Sequence, residues 1–248
     1  MLILESFNAA QVFDASVCCV GTFDGVHLGH QQLIRAAVGD AQSRSANAVL
    51  ITFFPHPRVL LSGVPGRYLT TQDEKAELVA ALGVDIMLVH PFDQVTLSTS
   101  AEAFVDRMLK AFAMRGLWLG PDFALGHQRQ GDAAFLAERG RERGFEVHVM
   151  PQLSLGDHPI SSSRIREAVA RGDLREAAQC LGRPYHLSGV AQSSTEICLD
   201  AQCWPPAPGR YLGRVEGQIT AVDFATGCKL CLEQPAARPG ARTRVEFV

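Results

Sequence analysis

Five short apolar runs, each followed by a stretch of helical periodicity, fill the first 181 residues of the chain. The runs are Val17–Val20, Val49–Phe54, Asp85–His90, Gly116–Leu119 and Phe145–Met150, and their β-rich composition marks them as strands. Among the intervening helices, His30–Ser43 places Leu33, Ile34, Ala37 and Val38 on one face, and further helices are expected over Asp132–Arg143 and Ser162–Leu181. Two more are signalled by Thr71-Gln-Asp-Glu74 and Thr99-Ser-Ala-Glu102. In this capping-box pattern the threonine and glutamate satisfy backbone donors at a helix start. Repeated strand-then-helix units imply parallel strands joined by crossovers, with helices on both faces. The expected fold is α/β, a Rossmann-like doubly wound parallel sheet.

The pattern stops after Leu181. Gly182-Arg-Pro-Tyr185 reads as a linker, followed by β-prone pieces at Arg210–Val215, Gln218–Val222, Lys229–Leu232 and Thr243–Val248. The expected division is a larger domain over 1–182 and a small β domain over 183–248. A unit of about 65 residues is marginal alone, so it is expected to lean on the first domain.

Composition narrows the function classes. At 47% hydrophobic residues the chain has ample material for a core. A formal charge of −3 offers no basic surface for nucleic acid, and no apolar run approaches the ~20 residues of a membrane span. The opening MLILESFNAAQVFDAS lacks a basic region followed by a long apolar one, so no signal peptide is evident. Seven cysteines without a secretory signal read as reduced thiols, which implies a cytoplasmic protein.

Chemistry is expected beyond the carboxyl ends of the strands, where open α/β sheets bind ligands. The first such end reads Gly21-Thr-Phe-Asp-Gly-Val-His-Leu-Gly-His30. A helix start there supplies backbone N–H groups and a positive dipole end, suited to phosphate. His27 and His30, three apart, can share one side of the first turn and donate hydrogen bonds to phosphate oxygens as charge grows in a transition state. Gly29 between them permits close approach of a nucleotide to the backbone. Neither a GxxxxGK[ST] loop nor a GxGxxG fingerprint is present.

That ten-residue string resembles the HxGH signature of the nucleotidyltransferase superfamily. In its full form it resembles the adenylyltransferase domain of bacterial bifunctional riboflavin kinase/FAD synthetases. Three later stretches agree with that family in order and spacing. Thr52-Phe-Phe-Pro-His-Pro57 is similar to a TF[DE]PHP loop beside the flavin, with Phe54 in place of the usual acidic residue. Gly120-Pro-Asp-Phe123, continuing to Asp132, is similar to the segment after the fourth strand, with Leu125 replacing a common aromatic. Ile160-Ser-Ser-Ser-Arg-Ile-Arg166 is similar to [VI]SSTRIR.

The resemblance implies transfer of AMP from ATP to the phosphate of FMN, giving FAD and pyrophosphate, with Mg²⁺ accompanying ATP. It implies catalytic roles for His27, His30 and Arg166, and ATP contacts from Gly21, Thr22, Phe23, Asp24, Gly29, Asp122, Ser162 and Ser163. It implies flavin contacts from Phe54, Pro55, His56, Pro57 and Phe123, and no resident metal site. Asp24 is read as shaping the turn or reaching phosphate through water, because an FMN phosphate is already ionised and needs no strong base. The four segments are expected to converge on the ends of one sheet. Two rivals stand beside this reading: a nucleotidyltransferase for another phosphorylated acceptor such as a modified flavin, and a non-catalytic flavin-nucleotide binding or regulatory protein.

In the bifunctional family the second domain is a β-barrel riboflavin kinase marked by Pro-Thr-Ala-Asn. No Pro-Thr dipeptide occurs in this chain, so residues 183–248 are expected to be a degenerate barrel remnant without kinase activity. Gly209-Arg-Tyr211 and Thr243–Phe247 are the candidate remnant strands. Cys198, Cys203, Cys228 and Cys231 either hold a tetrahedral zinc or serve as small apolar residues. Cys18 and Cys19 belong to the core of the first strand.

Overall fold

The computed structural model describes residues 1–9, 13–63, 66–225 and 227–248. Contacts divide the chain into two compact units, Met1–Gly66 with Gln72–Leu153, and Arg67–Thr71 with Ser154–Val248. The change in secondary structure near residue 182 therefore falls inside the second compact unit.

In the first unit the elements are β1 (Leu2–Leu4), β2 (Ser16–Val20), α1 (Leu28–Ser43), β3 (Asn47–Phe54), α2 (Pro57–Ser62), α3 (Gln72–Ala81), β4 (Ile86–Pro91), α4 (Gln94–Ser98), α5 (Ala101–Phe112), β5 (Met114–Leu119), α6 (Ala133–Arg143) and β6 (Glu146–Val149). The six strands form one sheet in the order β1-β4-β3-β2-β5-β6, and every pairing is parallel. β1 was not expected. It is a three-residue edge strand with Leu2 and Ile3 exposed, too short for its apolar residues to mark it as a strand.

The sheet is covered on both faces, and adjacent residues of β2 show how. Val17 and Cys19 pack with Leu33 and Ile34 of α1 and Val79 of α3. Cys18 and Val20 pack with Phe104, Met108 and Phe112 of α5 and Leu136 of α6. Each large side chain buried this way contributes roughly 1.5–3 kcal/mol. One helix start differs from the capping-box expectation. Ser100, not Thr99, caps α5, accepting from the Ala103 N–H at 3.2 Å. Thr99 Oγ1 instead donates to the Val95 carbonyl at 2.7 Å, and Glu102 pairs with Arg143 at 2.8 Å.

The second unit opens with the two-stranded β7 (Ser154–Leu155) and β8 (His158–Pro159), followed by α7 (Ser162–Ala170) and α8 (Leu174–Leu181). The single helix expected over 162–181 is two helices. Gly172 at φ +79° lies between them, and Asp173 caps α8 through Glu176 N–H at 2.9 Å. The strands β9 (His186–Ala191), β10 (Glu196–Leu199), β11 (Gly209–Val215), β12 (Gln218–Phe224), β13 (Lys229–Leu232) and β14 (Arg242–Phe247) follow. They close a barrel in the order β10-β13-β12-β11-β14-β9, all neighbours antiparallel. The strands expected as remnants are thus members of a closed barrel, with alternate residues such as Val222, Leu230, Val245 and Phe247 turned inward.

Gly182–Tyr185 is also more than a linker. Tyr185 is 2% exposed and its ring stacks on Phe247 with centroids 6.3 Å apart. All seven cysteines are free thiols. Among the described residues no group of three or more His, Cys, Asp or Glu is placed to hold a metal, and no helix is long and apolar enough to cross a membrane.

Candidate active site

β2 delivers the chain to a tight loop before α1. Gly21 N–H extends the β2–β3 ladder by donating to the Ile51 carbonyl at 3.0 Å. The backbone then enters the left-handed region at Phe23 (φ +48°), Gly25 (φ +82°) and Val26 (φ +42°). A β-branched residue there carries strain on the order of 1–3 kcal/mol, which surrounding structure must offset. Phe23 and Val26 are each 1% exposed, so burying their side chains opposes that cost. A turn bond from Val26 N–H to the Phe23 carbonyl (3.2 Å) and the Gln31 amide on the Val26 carbonyl (3.0 Å) complete the hold.

This loop sets His27 as the N-cap of α1. Its Nδ1 accepts from the His30 N–H at 3.2 Å, which in the neutral ring leaves the proton on Nε2. His30, one turn on, stacks against it with ring centroids 3.6 Å apart and planes at 15°. Phe23 meets the edge of His30 at 5.1 Å. Gly29 is explained by the pair itself: a Cβ there would lie 3.3 Å from the His27 ring. Burial holds His30 well below the usual histidine range, aided by the neighbouring His27 and Lys75. His30 is therefore a neutral imidazole at physiological pH, with one N–H to donate.

Lys75 is the functional candidate that sequence reasoning missed. It is 2% exposed beneath the loop, its Nζ donating to the Thr22 carbonyl at 2.9 Å and lying 3.4 Å from Thr52 Oγ1. Thr52 Oγ1 donates to the same carbonyl at 2.9 Å. Burial lowers the Lys75 ammonium to about 8, and the nearby Asp24 carboxylate opposes the fall. Asp24 is itself buried, at 1% exposed. One signal was available: Lys75 and Val79 are four apart and share the buried face of α3.

Two further segments lie at the carboxyl ends of the strands flanking β2. At the end of β3, His56 caps α2, its Nδ1 accepting from Arg58 N–H at 3.0 Å, and Pro57 occupies the first turn. A short helix thus begins where a loop was expected. Phe54, Pro55, His56 and Pro57 are all partly exposed, the Phe54–Pro55 peptide is cis, and the Phe54 carbonyl accepts from Phe92 N–H at 3.0 Å. After β5, Asp122 is exposed in a turn closed by Phe123 N–H on the Gly120 carbonyl at 3.2 Å. Phe123 packs against the α5-side core. Leu125 is buried and paired with Gly131, and Asp132 caps α6 through Phe135 N–H at 2.9 Å. The order β3-β2-β5 makes these three segments neighbours along the sheet's carboxyl edge.

The fourth segment belongs to the second unit. Ser161 caps α7 by accepting from Arg164 N–H at 3.2 Å, so Ser162 and Ser163 occupy the first turn, at the positive end of the helix dipole. Arg166 is 6% exposed and donates to Ser163 Oγ at 3.3 Å. Arg164 is committed elsewhere, to Glu176 at 2.7 Å and the His158 carbonyl at 2.8 Å.

A family model for FAD synthetase matches residues 10–164, more than half of the chain. The chain belongs to the FAD synthetase family. It is 40% identical over 176 residues to a bifunctional riboflavin kinase/FMN adenylyltransferase of Listeria monocytogenes, covering 70% of this chain and 56% of that protein. It is 36% identical over 178 residues to a putative protein of the same description from Geobacillus thermodenitrificans, covering 71% and 95%. The chain thus spans little more than half the length of the Listeria relative. Among solved structures, the macrolide-efflux protein from Streptococcus pneumoniae superposes with a TM-score of 0.85 at 23% identity, over 99% of this chain and 88% of that one. That likeness extends the shared fold of this FAD synthetase family member through the barrel.

Proposed function

We propose that the chain is an FMN adenylyltransferase. An FMN phosphate oxygen attacks the α-phosphorus of ATP in line, the bond from that phosphorus to the bridging oxygen breaks, and pyrophosphate leaves. No covalent enzyme intermediate is required, so the protein's task is positioning and charge stabilisation. The observation that carries the reading is the stacked, largely buried His27–His30 pair at a capped helix start. A neutral His30 donates a hydrogen bond to a phosphate oxygen without the reorganisation a surface side chain would need.

In this reading His27 and His30 act on the α-phosphate. Ser162, Ser163 and Arg166 take the outer phosphates and the leaving pyrophosphate, where a planar guanidinium offers a fixed fork of donors. Gly21–Asp24, Gly29 and Asp122 line the nucleotide, and Phe54–Pro57 with Phe123 form an apolar ledge for the flavin. Mg²⁺ enters with ATP, held by phosphate oxygens and water. The free thiols fit a reducing compartment such as the cytoplasm. The barrel is proposed to lack riboflavin kinase activity, because the Pro-Thr-Ala-Asn signature has no counterpart in it.

The test is incubation of the purified protein with ATP, Mg²⁺ and either FMN or riboflavin, with the flavins separated by chromatography. FAD from FMN and nothing from riboflavin is the expected result. FMN from riboflavin would overturn the reading of the barrel, and no FAD from FMN would overturn the proposed activity.

A further inference from the structure

The segment between β10 and β11 holds Trp204, a residue that nothing in the sequence tied to chemistry. The structure places its indole on Arg166. The guanidinium carbon lies 5.7 Å from the ring centroid, and the indole N–H donates to the Arg166 carbonyl at 3.1 Å. One side chain therefore engages Arg166 at both its backbone and its charged head.

Trp204 is itself anchored on two sides. Its backbone N–H donates to the Tyr68 carbonyl at 2.9 Å, next to a short parallel bridge between Tyr68 and Cys203. Its carbonyl accepts from the hydroxyl of Tyr185, the ring stacked on Phe247 of β14. Three residues later Ala207 N–H donates to the Val169 carbonyl at 3.2 Å, a second tie between this segment and α7.

We propose that Trp204 is a positioning residue for Arg166, which makes the barrel unit a working part of phosphate recognition rather than an inert appendage. The inference rests on the role given to Arg166 above. An arginine side chain has many rotamers, and phosphate binding must immobilise it unless the protein has already done so. An aromatic face attracts the guanidinium by its quadrupole and itself occupies none of the in-plane N–H donors through which a guanidinium recognises phosphate.

The test combines kinetics with a spectroscopic reading. Trp204→Ala is expected to lower kcat/KM for ATP about tenfold, the combined scale of a cation–π contact and a hydrogen bond, with KM for FMN unchanged. Trp204→Phe keeps the ring and loses the N–H, and is expected to fall between. In an Arg166→Lys background, which lacks the planar fork, Trp204→Ala is expected to cost less than about threefold, because interacting residues are non-additive. An equal loss in both backgrounds, or no loss in either Trp204 variant, overturns the proposal.

The chain has two tryptophans, so Trp118→Phe makes Trp204 the sole tryptophan, excited selectively over tyrosine at the red edge of its absorption. Titration with inorganic pyrophosphate is expected to change its fluorescence, and the added change Arg166→Ala is expected to abolish that response. A response that survives Arg166→Ala, or none in the Trp118→Phe protein, also overturns the proposal, even if Trp204→Ala does not fold. Failure of the wild type to make FAD would instead strike the functional reading, so the two failures are distinguishable.

Discussion

Replacing Lys75 by methionine keeps an unbranched side chain out to Cε and removes the buried charge at Nζ. Burial lowers the ammonium from the ordinary 10.5 to about 8 in the folded chain. At 1.36 kcal/mol per tenfold, that fall corresponds to roughly 3 kcal/mol. Below pH 8 the folded and unfolded chains both carry the proton and the cost is present in full. Between 8 and 10.5 the folded chain has released it while the unfolded chain still binds it, so stability rises with pH. The buried thiols of Cys18 and Cys19 act in the opposite sense. Burial raises both, Cys19 to about 12, so the unfolded chain ionises first and stability falls as pH rises. That contribution is common to both proteins and cancels in their difference. Urea unfolding of wild type and Lys75→Met at pH 7, 8, 9 and 10 is expected to show wild type gaining on the variant by about 2–3 kcal/mol across the series. At pH 7 the variant also removes the Nζ donor from the Thr22 carbonyl and the Thr52 hydroxyl, which keep their bond to each other, so this offset is on the order of 1 kcal/mol. The slope, not the offset, is therefore the test. Curves that run parallel from pH 7 to 10 would refute the reading of Lys75 as an ammonium lowered by burial.

Three other outcomes are expected. His27→Ala should lower turnover at least about tenfold, a bound set beneath the roughly 10²–10³ that a lost donor to developing charge costs, and cost about 1 kcal/mol of stability as a lost helix cap; rate assays and thermal melts separate the two effects. Gly189→Ala would place a Cβ 2.2 Å from the Cys198 carbonyl across the β9–β10 pair, so a melt lowered by several degrees is expected, and an unchanged melt would show that the barrel seam yields freely. Addition of EDTA should leave the melting temperature unchanged, because the described residues include no metal-holding cluster, whereas a large drop would favour the zinc reading of the four barrel-unit cysteines.

The local sequence carried the doubly wound sheet because its strands are apolar on both faces and its helices are amphipathic, properties set within a few residues of each element. The Gly21–His30 string carried the candidate site for the same reason: a strand, a turn and a helix start are local structures. Contacts between distant residues are a different matter. That Cys18 and Cys19 face opposite layers follows from the pleat, but that Lys75 lies under Thr22 depends on how α3 packs across β2 and β3. The barrel shows the limit most clearly. β9, with Ser188 and Gly189 at its centre, has weak strand propensity of its own, and it forms because β10 and β14 pair with it from either side. Trp204 likewise reaches Arg166 only because barrel closure and the Tyr68 bridge bring residues 38 apart in sequence into contact. Propensity and periodicity decided most elements of the first unit; pairing and burial between sequence-distant residues decided the rest, β9 among them, and which side chains the elements present to one another.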